Sequence, residues 1–211
     1  MIMTDTLRER IIEHARGRFF SSGFSKVTMD ELSQELGISK KTMYQQFPSK
    51  DDLLDQTIEW QIIEMTGSIR QIFESSDDFI TKLSAMWDAF GHMACRINKA
   101  FLDDVRRHRP DLWKRIEEVR KKNIIENFAL MIDEGISRGL IRQDVNKEVV
   151  ILMYLSSIQG VVNPESLAQY SFSTEDALKT IFRVCLDGIL TDKARELFHR
   201  TILQNQQTVR Q

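Results

Sequence analysis

The sequence predicts an all-α protein, with three short helices in front and a larger helical domain behind. Three observations carry that expectation. Apolar residues recur at spacings of three and four along most of the 211 residues, the period of one helix face. Ser, Thr or Asn stands where several apolar runs begin and Gly where several end, the usual start and stop signals of helices. Only nine glycines and three prolines interrupt the chain, which favours long helices.

Each element follows from its own residues. Leu7, Ile11, Ala15 and Phe19 recur every fourth position, with Ile12 and Phe20 on the flank, and mark a first helix. Gly23 ends it as a left-handed residue. Thr28-Met-Asp-Glu31 reads as a capping box for a second helix, which runs to Leu36 and stops at Gly37. Ser39 caps a third, over 40–47. Ser49-Lys-Asp-Asp52 starts a fourth, whose acids suit the positive end of the helix dipole, and it is expected to reach residue 74. Behind it, Phe79, Leu83, Met86, Phe90, Met93 and Ile97 alternate spacings of four and three, a coiled-coil-like seam. A short basic helix with Arg106, Arg107, His108 and Arg109 at its end precedes Pro110. A long helix over 111–138 is ended by Gly139. Asn146 caps the next, over 146–160. Asn163-Pro164 opens a loop. Ser173-Thr-Glu-Asp176 starts a helix to residue 188, and 192–204 forms a last one. The domain break is expected after residue 50, giving domains 1–50 and 51–205.

Composition bounds the function classes. Hydrophobic residues at 42% and charged residues at 28% fit a soluble globular protein. The net charge of −2 hides an asymmetry. Residues 1–50 carry eight Lys/Arg against six Asp/Glu, and the remainder carries 21 against 25. A basic front and an acidic rear suit a protein whose front meets an anion. Cys95 and Cys185 make neither a disulfide framework nor a zinc motif. His92 and Cys95 stand one turn apart without a third ligand, so no metal is expected. No cofactor motif, nucleophile elbow or phosphate loop is present, and the chain does not read as an enzyme. The longest apolar run, 149–155, falls far short of the ~20 residues that span a bilayer. No secretory signal is visible, so a cytoplasmic location without a membrane partner is expected.

Residues 28–47 carry the functional signal. Leu32, Leu36, Ile38 and Met43 are apolar where two short helices must pack, and Ser33 is small where they cross. Gly37 supplies the turn. Ser39 caps the following helix, whose outward face reads Lys40, Lys41, Thr42, Tyr44, Gln45 and Gln46. Lys reads guanine edges or phosphates, Gln pairs with adenine edges, the Thr methyl meets thymine, and a Tyr hydroxyl reaches phosphate. Thr28 and Lys50 stand at neighbouring helix starts, placed for phosphates. The candidate DNA contacts are therefore Thr28, Ser39, Lys40, Lys41, Thr42, Tyr44, Gln45, Gln46 and Lys50. A polar helix face is also what plain solvation produces.

The stretch from Val27 to Leu54, with Gly37-Ile-Ser-Lys-Lys-Thr-Met-Tyr44, Phe47 and Ser49-Lys50, resembles the tetracycline-repressor (TetR) family signature. The resemblance is strong over about residues 7–54 and rests on helix order elsewhere. Lys41 stands where many members have Gly, and Gln46 where many have His. The resemblance implies an all-helical homodimer on double-stranded operator DNA. It also implies a C-terminal domain that binds a small apolar or amphipathic effector. Candidate pocket residues are Trp60, Ile63, Trp87, Phe90, Trp113, Asn123, Asn127, Phe128, Met131 and Tyr154. Candidate interface residues are Val150, Met153 and Ile158 on one helix, and Leu178, Ile181, Phe182, Cys185 and Ile189 on another. Such stripes equally serve an intramolecular core. The rival reading is a DNA-binding protein without a small-molecule effector, whose rear domain binds another protein.

Overall fold

In a computed structural model, residues 6–94 and 99–208 are described, with side chains at 6–89 and 99–205. Eleven helices occur among them: α1 Leu7–Ser22, α2 Met29–Glu35, α3 Lys40–Gln46, α4 Lys50–Glu74, α5 Phe79–Ala94, α6 Lys99–His108, α7 Pro110–Ser137, α8 Lys147–Val161, α9 Pro164–Gln169, α10 Thr174–Ile189 and α11 Asp192–Thr208. No strand forms among the described residues, and one isolated antiparallel bridge joins Ile141 to Leu190. The loop expected at Asn163-Pro164 is instead a short helix. Asn163 caps α9 and Pro164 occupies its first turn, where a missing N–H costs nothing.

The chain divides into two compact units. The first comprises Met1–Met65 with Arg96–Glu117. Its core joins Ile11, Ala15 and Phe19 of α1 to Leu32 of α2, Met43 of α3, Leu53 and Leu54 of α4, and Phe101 and Val105 of α6. The front module thus extends past residue 50, because the first turns of α4 bury their apolar face in it. It also recruits α6 from fifty residues further along the chain, and α6 packs on α1. Arg16 is a buried cation in this unit. Its Nη1 donates to Glu64 Oε2 at 2.6 Å, and its guanidinium lies 4.5 Å from the Trp60 ring centroid. A buried charge needs such a partner, and here it ties α1 to α4.

The second unit comprises Thr66–Cys95 with Glu118–Gln211. Here α10 packs on α5 and α8, and α11 packs on α5. An aromatic chain fills the centre. Phe128 stacks on Tyr154 at 4.3 Å, and Tyr154 meets Phe182 edge-on at 6.3 Å. Phe182 meets Phe198 edge-on at 6.5 Å, in the offset geometries that ring quadrupoles favour.

Candidate nucleic-acid interface

The site is assembled from α2, a tight turn and α3. Thr28 caps α2 in a reciprocal box. Its hydroxyl accepts from Glu31 N–H at 3.2 Å, and Glu31 accepts from Thr28 N–H at 2.9 Å. These hydrogen bonds, the backbone one first, hold the Glu31 carboxyl below its ordinary pKa. The end of α2 is a Schellman turn. Ile38 N–H donates to Ser33 C=O at 3.0 Å and Gly37 N–H to Gln34 C=O at 3.1 Å, with Gly37 at φ 67°. A Cβ is penalised at that φ, which is why glycine sits there. Ser33 is buried, and its hydroxyl donates to Met29 C=O at 2.9 Å, so α2 carries no unsatisfied polar group at the crossing. Ser39 then caps α3, accepting from Thr42 N–H at 3.0 Å. Met43 is fully buried, which pins α3 by one face and leaves the other outward.

That outward face carries the candidates. Lys41, Tyr44 and Gln45 are exposed, and Thr42 and Gln46 are half-buried. Lys40 is exposed and paired to Asp30 of α2, Nζ to Oδ2 at 2.5 Å. The hydrogen bond to Asp30, then its charge, raises the Lys40 pKa. Thr28 and Ser39 are exposed at the helix starts, their hydroxyls engaged in capping.

Lys50 departs from expectation. Its ammonium points inward and donates to Phe24 C=O at 3.0 Å, Ser25 C=O at 3.4 Å and Val27 C=O at 2.9 Å. It also lies 4.5 Å from the Phe24 ring centroid, and burial lowers its pKa. An ammonium has three N–H groups, and all three are taken by carbonyls of the 23–27 loop. Arg8 is a residue that sequence reasoning missed. Its Nη1 donates to Gln46 C=O at 2.6 Å, satisfying a carbonyl at the end of α3, and it lies 4.4 Å from the Phe47 ring centroid. No periodic signal could have found it, since its partner is a backbone atom 38 residues away.

The pocket candidates divide between the two units. Trp60 and Trp113 pack at the edge of the first core, and Ile63 is 63% exposed. Trp87, Phe128, Met131 and Tyr154 lie within the second core. Asn123 and Asn127 are half-buried, and Asn123 Nδ2 is buried without a hydrogen-bond partner. The side chain of Phe90 lies outside the described residues, as does the pairing of His92 with Cys95. Among the interface candidates, Val150, Ile158, Leu178, Phe182 and Ile189 are buried in the second unit's core. They face neighbouring helices of their own chain, the intramolecular alternative that such stripes allow. Ile181 and Cys185 are half-buried, and burial pushes the Cys185 thiol up to about 11. Met153 alone is open, at 62%. No helix among the described residues is long and apolar enough to cross a membrane, and no cluster of three metal-ligating side chains occurs among them.

Two short capped helices joined by a glycine turn, with one helix face buried and the other polar, define a helix-turn-helix DNA-binding protein. Residues 11–57 match the family model described as "Bacterial regulatory proteins, tetR family". That segment holds the helix-turn-helix and the start of α4, so the front of the chain is similar to the DNA-binding region of that family. The chain is 28% identical over 186 residues to YvaF, an uncharacterised HTH-type transcriptional regulator of Bacillus subtilis, covering 88% of this chain and 96% of that one. Its fold resembles a TetR transcriptional regulator from Chloroflexus aurantiacus, with a TM-score of 0.62 at 18% identity over 87% of this chain and 96% of that one. It also resembles a transcriptional regulator from Saccharomonospora viridis solved in complex with choline, with a TM-score of 0.67 at 17% identity over 87% and 97%.

Proposed function

We propose that this regulator binds a pseudo-palindromic operator as a homodimer and releases it in response to a small effector. The outward face of α3 carries the DNA reading. Lys41, Tyr44 and Gln45 are exposed there, and Lys41 has no ion pair or hydrogen bond among the described residues. Lys40, Lys41, Thr42, Gln45 and Gln46 address base edges, while Thr28, Ser39 and Tyr44 address phosphates.

The dimer reading moves from the buried stripe to the exposed apolar residues of the same helices. Val149, Leu152 and Met153 of α8 are 51%, 62% and 62% exposed, and Val184 of α10 is 62% exposed. The two helices pack side by side, so these residues lie on adjoining helices. Large exposed apolar side chains are what an interface covers. A second copy fits, because a two-fold axis pairs the patch with itself and holds two recognition helices for two half-sites.

Effector response is supported by the buried, partnerless Asn123 amide on α7, and by the choline complex of the S. viridis regulator. An effector acts only through its preference for one state, and a coupling of ~1–3 kcal/mol changes operator affinity ~5–150-fold. The close burial of Phe128, Met131 and Tyr154 favours a second reading, in which the rear unit takes no small molecule and binds protein instead. The test is selection of preferred duplexes from a random library, followed by light scattering of the complex. A two-fold symmetric consensus bound by two copies is expected. A monomer on an asymmetric site would sink the dimer reading, and a thermal-shift screen with no stabilising ligand would favour the protein-binding one.

A further inference from the structure

The loop between α1 and α2, residues 23–27, is held by two charged side chains from distant parts of the chain. On one side, Asp104 of α6 accepts from Ser25 N–H at 2.9 Å. The same carboxylate closes over Gly23. A Cβ there would lie 2.7 Å from Asp104 Oδ2, and Gly23 has φ 86°, a conformation that side chains avoid. On the other side, Lys50 takes the carbonyls of Phe24, Ser25 and Val27. Phe101 packs on Phe20 at 4.6 Å between ring centroids, so α6 is seated on α1 at the point where the loop leaves. The loop has little backbone bonding of its own: Val27 N–H reaches Phe24 C=O at 3.3 Å. Its shape is therefore set by the two side chains. It ends at Val27, which is fully buried, directly before the Thr28 cap.

We propose that Asp104 is a positioning residue for DNA recognition: it holds the α1–α2 loop and so sets where α2 begins and how α2 and α3 meet the duplex. The inference rests on the reading of α2 and α3 as the DNA-contacting helices. Base-edge contacts need placement within roughly 0.5 Å, whereas phosphate contacts by flexible side chains tolerate more. Loss of the Asp104 hold should therefore weaken sequence discrimination more than general DNA affinity.

The test compares Asp104→Ala and Asp104→Asn with the unaltered protein at a temperature where circular dichroism finds all three folded. Hydrogen exchange of the amides over 25–32 is read in the free protein. Asp104→Ala is expected to exchange them ~10-fold faster through local opening, while Asp104→Asn, whose amide oxygen still accepts from Ser25, stays close to the original. Affinity is then read by fluorescence anisotropy on a library-selected duplex and on an unrelated one. Asp104→Ala should weaken the selected duplex ~5- to 10-fold and the unrelated one less than ~2-fold, with Asp104→Asn restoring most of the difference. Unchanged exchange, or faster exchange with intact discrimination, overturns the proposal. A starting protein that selects no duplex sinks the α2–α3 reading and this inference with it, a failure distinct from intact discrimination in the variant. If Asp104→Ala does not fold, Asp104→Glu keeps the charge, moves the carboxylate by one methylene and carries the same readouts.

Discussion

In the first unit α3 buries one apolar residue and shows solvent a polar face, whereas in the second unit α8 buries apolar residues and exposes others, and α10 adds one exposed valine. On α3, Met43 is fully buried and Lys41, Tyr44 and Gln45 are exposed, so residue type alone separates core from surface. On α8, Val150 and Ile158 are buried while Val149, Leu152 and Met153 are open. The helix is apolar almost all round, and no period in it distinguishes what packs at home from what awaits a partner. The polar face of α3 declares itself by residue type; no such contrast marks a face of α8.

The largest effects should separate the two faces of α8 and α10. Phe182 is fully buried among Tyr154, Phe198 and their neighbours, so Phe182→Ala should cost ~3–5 kcal/mol in chemical denaturation, through lost burial and the cavity left behind. Leu152→Glu with Val184→Glu removes two exposed side chains and should leave the monomer within about 1 kcal/mol. The same pair should raise the dimer dissociation constant by at least about two orders of magnitude, since each buried aliphatic side chain contributes ~1.5–3 kcal/mol. Analytical ultracentrifugation checks this. Unchanged dimerisation would remove α8 and α10 from the interface.

This asymmetry also explains what was legible in advance. The boundaries of α1, α2 and α3 followed from caps and glycines, because those signals are local. Gly37 and Ser39 do in the fold what their chemistry requires. The membership of α6 was not legible. Phe101 and Val105 lie one turn apart on an amphipathic helix, but nothing in that spacing says which core they enter. The inward set of Lys50 was hidden for a related reason. Its place at a helix start suits a phosphate, and only the return of the 23–27 loop reveals three carbonyls in reach. The pocket candidates were the least legible, since an aromatic residue at helical spacing is equally suited to a lining and to a filled core. Trp60 illustrates it: its ring is occupied by Arg16, a contact set by two helices rather than by a motif.

A smaller contrast lies within the first unit, between Lys50 and Lys41, two lysines nine positions apart. Lys50→Met should lower folding stability by about 1 kcal/mol, because three carbonyls lose a charged donor at a half-exposed site. Its effect on the salt dependence of DNA binding should be small. Lys41→Ala should do the reverse, leaving stability within about 0.5 kcal/mol and costing ~1–3 kcal/mol of binding. If Lys50→Met flattens the salt slope by a full unit, the ammonium leaves its carbonyls for phosphate on binding, and the assignment of clamp and reader would be reversed.

The smallest expected effect is at Asp30, and it tests whether the polar face of α3 is wholly free for DNA. The Lys40–Asp30 pair joins side chains 66% and 53% exposed, and ion pairs in that setting add little to folding. Its consequence should fall on binding. Lys40 must leave Asp30 to meet a guanine edge or a phosphate, and the Asp30 carboxylate itself faces an approaching polyanion. Asp30→Asn removes both obstacles. It should tighten binding to unrelated duplexes ~2- to 3-fold at low salt and steepen the salt slope by up to about one unit, as one more phosphate is neutralised. The selected duplex should gain less, because there Lys40 is already committed to its contact, so discrimination falls while affinity rises. Anisotropy titrations across a salt series read both quantities. Weaker binding to the selected duplex with unrelated DNA unaffected would mean that Asp30 aims Lys40 at its base instead of withholding it, and the pair would then belong to the reading surface.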